Sequence, residues 1–154
     1  MDWIPLLSTA FGAVIGVVAT LLADRVRARS NRQEEDRALK RRLYGDYLAA
    51  LSLTRQNLRT AARSLSVSHA ERTRMALDSF KEASVYQARY QVSLVAHERV
   101  VEASTAAFNA LRSLRDLVEA GGGSHGDPAY RAAQNEWTGC FATLRRCMRR
   151  DLDS

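Results

Sequence analysis

Helix breakers are scarce in this 154-residue chain. Proline occurs only at positions 5 and 128, and four of the eight glycines crowd between Gly121 and Gly126. Long stretches therefore have nothing to interrupt a helix. Alternating Val/Ile/Thr-rich runs are also few, which disfavours a β-sandwich, a barrel or any βαβ repeat. With only Cys140 and Cys147, a disulfide-stapled scaffold is excluded. Charged residues make up 26% and apolar residues 46%, so neither wholesale disorder nor a multi-pass membrane protein fits. The length allows one modest domain plus one appendage.

The net charge of +6 is distributed unevenly. Residues 24–65 carry eleven basic and five acidic groups, residues 66–120 carry seven of each, and residues 121–154 carry five and four. The positive excess thus directly follows the most apolar part of the chain. A basic zone placed there favours a membrane surface over nucleic acid, which is the disfavoured partner.

That apolar part runs from Trp3 to Ala23, 21 residues without a charge. At about 1.5 Å per residue it is long enough to cross a hydrocarbon core of about 30 Å. A cleaved signal peptide carries its basic residues before the apolar core, whereas here the chain begins with Asp2 and every Arg comes afterwards. An interfacial helix needs a polar face, which this segment lacks. A transmembrane helix is the expectation. Arg25, Arg27, Arg29 and Arg32 set its topology and meet lipid headgroups, placing the following chain in the cytoplasm and Met1 and Asp2 outside. Trp3 is the outer interfacial anchor, and Pro5 lies at the helix start, where a missing N–H costs least. Ser8, Gly12, Gly16 and Thr20 recur every fourth residue, a strip of small side chains that suits close helix–helix packing in the membrane.

The rest reads as helix. Leu39, Leu43, Tyr47, Leu51, Leu58 and Leu65 form a three-four stripe, with Ala50 and Ala61 on the same side. The run from Ser64 to Ser68 is a turn, and Ser68 with Glu71 matches a capping box. A second long helix is then expected to about Glu119, with Phe80, Ala83, Tyr90, Leu94, Val101, Phe108, Leu111 and Val118 inward and His97 as a core or seam histidine. Gly121, Gly122 and Gly123 stop it. Asp127 and Pro128 open a third helix whose seam is Tyr130, Ala133, Trp137, Phe141, Leu144 and Met148.

The expected fold is all-α: a single N-terminal transmembrane helix followed by a cytoplasmic antiparallel three-helix bundle or coiled-coil hairpin. Its parts are an anchor over 1–23, a basic juxtamembrane helical segment over 24–42 and the bundle over 43–154. Lengths raise one tension. Residues 24–65 would span about 63 Å and residues 69–119 about 76 Å, so the second helix must bend or splay. A bundle this thin buries little surface alone, which favours a homo-oligomer.

Catalytic patterns are sparse. Cys140 and Cys147 stand about 10 Å apart along one helix, too far for a disulfide, and lack the spacing of a zinc site. The loop Gly121–Gly126 follows a helix and has no Gly-Lys-Ser/Thr end, so it is a connector rather than a phosphate cradle. No catalytic residue, metal or cofactor is expected. Arg63 and His69, five residues between them, resemble over seven residues the Arg-x(4–6)-His signature of HEPN-type ribonucleases; the pair straddles a turn and reads as surface. His69 and His125 are expected exposed. Arg145, Arg146, Arg149 and Arg150 cluster near the end of the third helix, where they complement the helix dipole or receive an acidic partner.

The chain reads as a non-enzymatic bacterial inner-membrane protein. It is expected to be a self-associating scaffold or adaptor that holds a cytoplasmic protein partner at the membrane. The alternative is a small pore-forming or membrane-perturbing effector, similar in outline to accessory membrane proteins of bacterial immune systems. Only Ser8, Thr9 and Thr20 would offer such a pore a polar lining.

Overall fold

A computed structural model describes residues 4–64, 66–121 and 126–153, with the side chains of residues 4–24, 26 and 28–30 outside the description. The described residues are helical, with no strand among them, and form α1 (Ile4–Arg63), α2 (His69–Glu82), α3 (Val85–Val95), α4 (Glu98–Glu119) and α5 (Pro128–Asp153). The chain divides into two compact units, Met1–Leu39 and Lys40–Ser154. In the first, the backbone is helical from Ile4 onward.

The second unit corrects the expected three-helix count. The single helix anticipated over 69–119 is three helices. The first break comes at Ser84, whose φ of 50° puts it in the left-handed region that side chains other than glycine adopt at a cost. The second comes where Ala96 turns extended and His97 caps α4, its Nδ1 accepting from the Arg99 N–H at 3.4 Å. The chain reverses there. Arg89 Nη2 donates to Thr105 Oγ1 at 3.0 Å, Tyr86 packs edge-on to Phe108 with centroids 5.3 Å apart, and the Arg115 guanidinium sits 5.3 Å from the Phe80 ring. Residue numbers rise on one side as they fall on the other, so α2 and α3 run antiparallel to α4.

The remaining pairings complete the topology. Lys40 and Tyr44 of α1 meet Asp151 near the end of α5, while Arg55 meets Trp137 nearer its start. Hence α1 and α5 are antiparallel. The Tyr47 hydroxyl accepts from Ser104 Oγ at 2.9 Å, joining α1 to α4. Within the second unit the result is an up-down-up-down bundle of four legs, residues 40–63 of α1, α2–α3, α4 and α5. Folding back at His97 resolves the length tension, because a 76 Å helix would have left its apolar stripe in water.

Sequence punctuation works as expected at the other ends. Ser68 Oγ accepts from the Glu71 N–H at 3.2 Å, although the Glu71 carboxylate turns to Arg74 instead of closing the capping box. Asp127 Oδ1 accepts from the Ala129 N–H at 2.9 Å and opens α5 at Pro128. Gly121, at φ 81°, ends α4 in the left-handed conformation that favours glycine. Tyr47, Leu51, Leu58, Leu111, Leu114 and Leu144 are fully buried at the centre. Thr54, Ser79 and Ser104 join them only because each hydroxyl finds an acceptor, Ala50 O, Ala76 O and the Tyr47 hydroxyl.

Candidate functional site

The strip Ser8, Gly12, Gly16 and Thr20 lies on the helical backbone of α1, and its side chains fall outside the described residues. Among the described residues no helix is long and apolar enough to cross a membrane; the expected span over 3–23 lies outside the residues whose side chains are described. Of the juxtamembrane arginines, Arg25, Arg27 and Arg32 are exposed, and the Arg29 side chain is not described.

The second cluster is fully placed. Arg145, Arg146, Arg149 and Arg150 are all exposed, and they cover an arc of about 140° on α5, away from buried Leu144 and Met148. Arg146 Nη2 donates to Thr143 Oγ1 at 3.1 Å. Among the described residues none of the four forms an ion pair. Four adjacent uncompensated cations make this an anion-attracting face.

Beside that face, three helices are tied together by one carboxylate. Asp151, with a side chain only 7% exposed, accepts from Lys40 Nζ at 2.9 Å and from the Tyr44 hydroxyl at 2.5 Å. Burial alone would raise the Asp151 pKa, but the hydrogen bonds from Tyr44 and Lys40, with the charge of Lys40 and a backbone bond at His97, bring it below the usual carboxylate value. The Tyr44 hydroxyl moves the other way, raised by burial and then by Asp151. Next to the clamp lies a shallow cavity of about 370 Å³ lined by His97, Arg99, Val100, Cys147, Arg150 and Asp151. The anticipated core role of His97 is thereby corrected: the residue is exposed, and its ring nitrogen caps α4.

A surface absent from the sequence reading appears on α3. Tyr90 and Leu94, expected inward, are each 67% exposed, and Tyr86 one turn earlier is 53% exposed. The left-handed residue at Ser84 resets the helical phase, so Val85 and Val92 point inward in their place. Arg89 is the sole charge on α3, and it turns inward over the Phe108 ring at 4.8 Å. An outward face of Tyr86, Gln87, Tyr90, Ser93 and Leu94 is left without charge.

Groups with chemical reactivity stay apart. Cys140 and Cys147 are free and half-buried. Arg63 ends α1 and His69 begins α2, both exposed on opposite sides of the turn. The His69 ring lies 3.6 Å from the position that a Cβ on Gly121 would take, so it rests against the end of α4. His125 lies outside the described residues. Among the described residues no three His, Cys, Asp or Glu side chains converge as a metal site would require. No family model, curated protein or solved structure matches the chain.

Proposed function

We propose that this chain is a single-pass membrane adaptor. Its first unit anchors it with the N-terminus outside. Its cytoplasmic bundle self-associates and presents Arg145, Arg146, Arg149 and Arg150 to an acidic protein partner. The observation that carries the reading is the uncharged run Trp3–Ala23 followed, after Asp24, by Arg25, Arg27, Arg29 and Arg32. Apolar length and the step to positive charge together specify both insertion and direction. A helical backbone from Ile4 onward is the conformation such an insertion needs, because hydrocarbon offers no partner to free N–H and C=O groups.

Self-association has two supports. The strip Ser8, Gly12, Gly16 and Thr20 brings backbones close where no hydrophobic drive acts between helices. In the bundle, the uncharged face of α3 lets a second copy approach without like-charge repulsion, which the arginine-rich faces would impose. Crosslinking in native membranes tests the assembly. The parent chain should crosslink to a dimer or larger, and Gly12→Ile with Gly16→Ile should weaken this while keeping the span apolar. A parent that stays monomeric at every expression level contradicts self-association; equal crosslinking of parent and variant removes the membrane strip as its cause.

A further inference from the structure

Arg55, Arg59 and Arg63 recur every fourth residue of α1 and form one column along its seam with α5. The Arg55 guanidinium lies 5.1 Å from the Trp137 ring centroid, and Trp137 stacks on Phe141 at 4.8 Å. All three arginine charges act on the buried Tyr130 hydroxyl, to which Gln134 also hydrogen-bonds. So Tyr130, Gln134 and Trp137 from α5 face the cationic column from α1.

The seam gathers donors that lack acceptors. Arg55 and Arg59 are both half-buried, yet neither has an acidic partner among the described residues. The Nε of each is buried without an acceptor, and so is the indole Nε1 of Trp137, a residue only 5% exposed. Other half-buried cations are answered, Lys40 by Asp151, Arg115 by Asp116 and Glu119, and Arg89 by Thr105; Arg72 on α2 also keeps a buried Nε without an acceptor, but no second arginine stands one turn away from it. A buried donor without an acceptor costs about 1–3 kcal/mol, and more when charged. Three such donors on facing helices therefore want an acceptor-rich anion.

We propose that the α1–α5 seam is a binding site for a phosphate group, gripped by Arg55 and Arg59 with the Trp137 indole N–H and the Tyr130 hydroxyl beside it. The Cα atoms of residues four apart on a helix stand about 6 Å from each other, so two guanidinium forks can converge on one tetrahedral dianion. Phosphate suits the seam better than carboxylate, because its two negative charges and extra acceptor oxygens match two cations and several N–H groups. The site is separate from the Arg145–Arg150 face and does not depend on the adaptor reading.

The test uses the full chain in neutral maltoside micelles with Trp3→Phe, leaving Trp137 as the sole indole. Its fluorescence is titrated with inorganic phosphate and pyrophosphate, against sodium chloride at matched ionic strength. A saturable change with either phosphate, absent with chloride, is the expected result. Arg55→Gln with Arg59→Gln should weaken binding at least about tenfold, while Arg145→Gln with Arg146→Gln should leave it unchanged. Should the first pair not fold, Arg55→Lys and Arg59→Lys keep the charge and lose the fork, and each should weaken binding severalfold. Phosphate-dependent elevation of the melting temperature gives a second readout. A response reproduced by chloride, unaltered by the seam variants, or absent for both phosphates overturns the proposal.

Discussion

Removing the Asp151 carboxylate should loosen the end of the bundle where α1, α4 and α5 meet. In Asp151→Ala, Tyr44 loses the 2.5 Å acceptor of a hydroxyl on a residue only 2% exposed. Leaving that donor unmet costs about 1–3 kcal/mol. Lys40 loses its 2.9 Å partner too, but its side chain is 28% exposed and can turn to water. Its share falls toward the 1 kcal/mol or less of a surface pair. Asp151 also lies in the last turn of α5, where a negative charge opposes the helix dipole, so its removal returns about 0.5 kcal/mol. The net loss is about 1–3 kcal/mol. For a bundle of this size each kcal/mol moves the melting temperature by about 3–5 °C, so circular dichroism should show a drop of about 4–12 °C at pH 7. Acid supplies an internal control. The folded-state pKa of Asp151 lies below its ordinary value of 3.8, so the part of its stabilisation that depends on the carboxylate charge is complete above that value and is lost as pH falls through the lower, folded-state value, while the neutral carboxyl still accepts from Tyr44. The gap between parent and variant should therefore be constant from pH 7 to about pH 5 and shrink below about pH 4. A drop under 2 °C at neutral pH, or a gap indifferent to acid, would refute the clamp.

Three further outcomes follow from particular residues. Ser84→Gly should raise stability by about 0.5–1 kcal/mol in the same melting assay, because glycine occupies the φ of 50° without the Cβ penalty, and Ser84→Val should lower it. Leu111→Ala, at a fully buried position, should cost about 2–5 kcal/mol and exceed the loss from Leu94→Ala on the exposed face of α3. Arg63→Ala and His69→Ala should each leave the fold by circular dichroism and any RNA-degrading activity of the purified chain at the parent level; loss of a cleavage activity in both, with the fold intact, would favour the ribonuclease resemblance.

Helix content and most boundaries were legible because local chemistry sets them. Ser68, Asp127, Pro128 and Gly121 each satisfy or end a helix through their own side chain or backbone, so the residue type announces the position. The seam of α5 was legible too, since a regular helix keeps phase from Tyr130 to Met148. The reversal at Ala96–His97 was not. Neither residue is a breaker, and the rings of Phe80 and Tyr86 reach Phe108 only if the chain folds back. Ser84 likewise is no breaker by residue type, yet it takes a left-handed φ. Once that phase is lost, counting every third and fourth residue assigns Tyr90 and Leu94 to the wrong side. The arginine clusters were visible as charge. That Arg55 and Arg59 lack acceptors while Lys40 has one depends on which helices become neighbours, and spacing along one helix does not carry that information.

Membrane insertion with a cytoplasmic bundle is the central claim, and topology mapping tests it most directly. Paired reporters fused after Ser154, one active only in the cytoplasm and one only outside it, should give activity from the cytoplasmic reporter alone, with the chain remaining in the membrane pellet after alkaline carbonate extraction. Replacing Arg25, Arg27, Arg29 and Arg32 with neutral residues should then yield mixed orientations. Release of the chain by carbonate, or activity solely from the external reporter, would contradict the account.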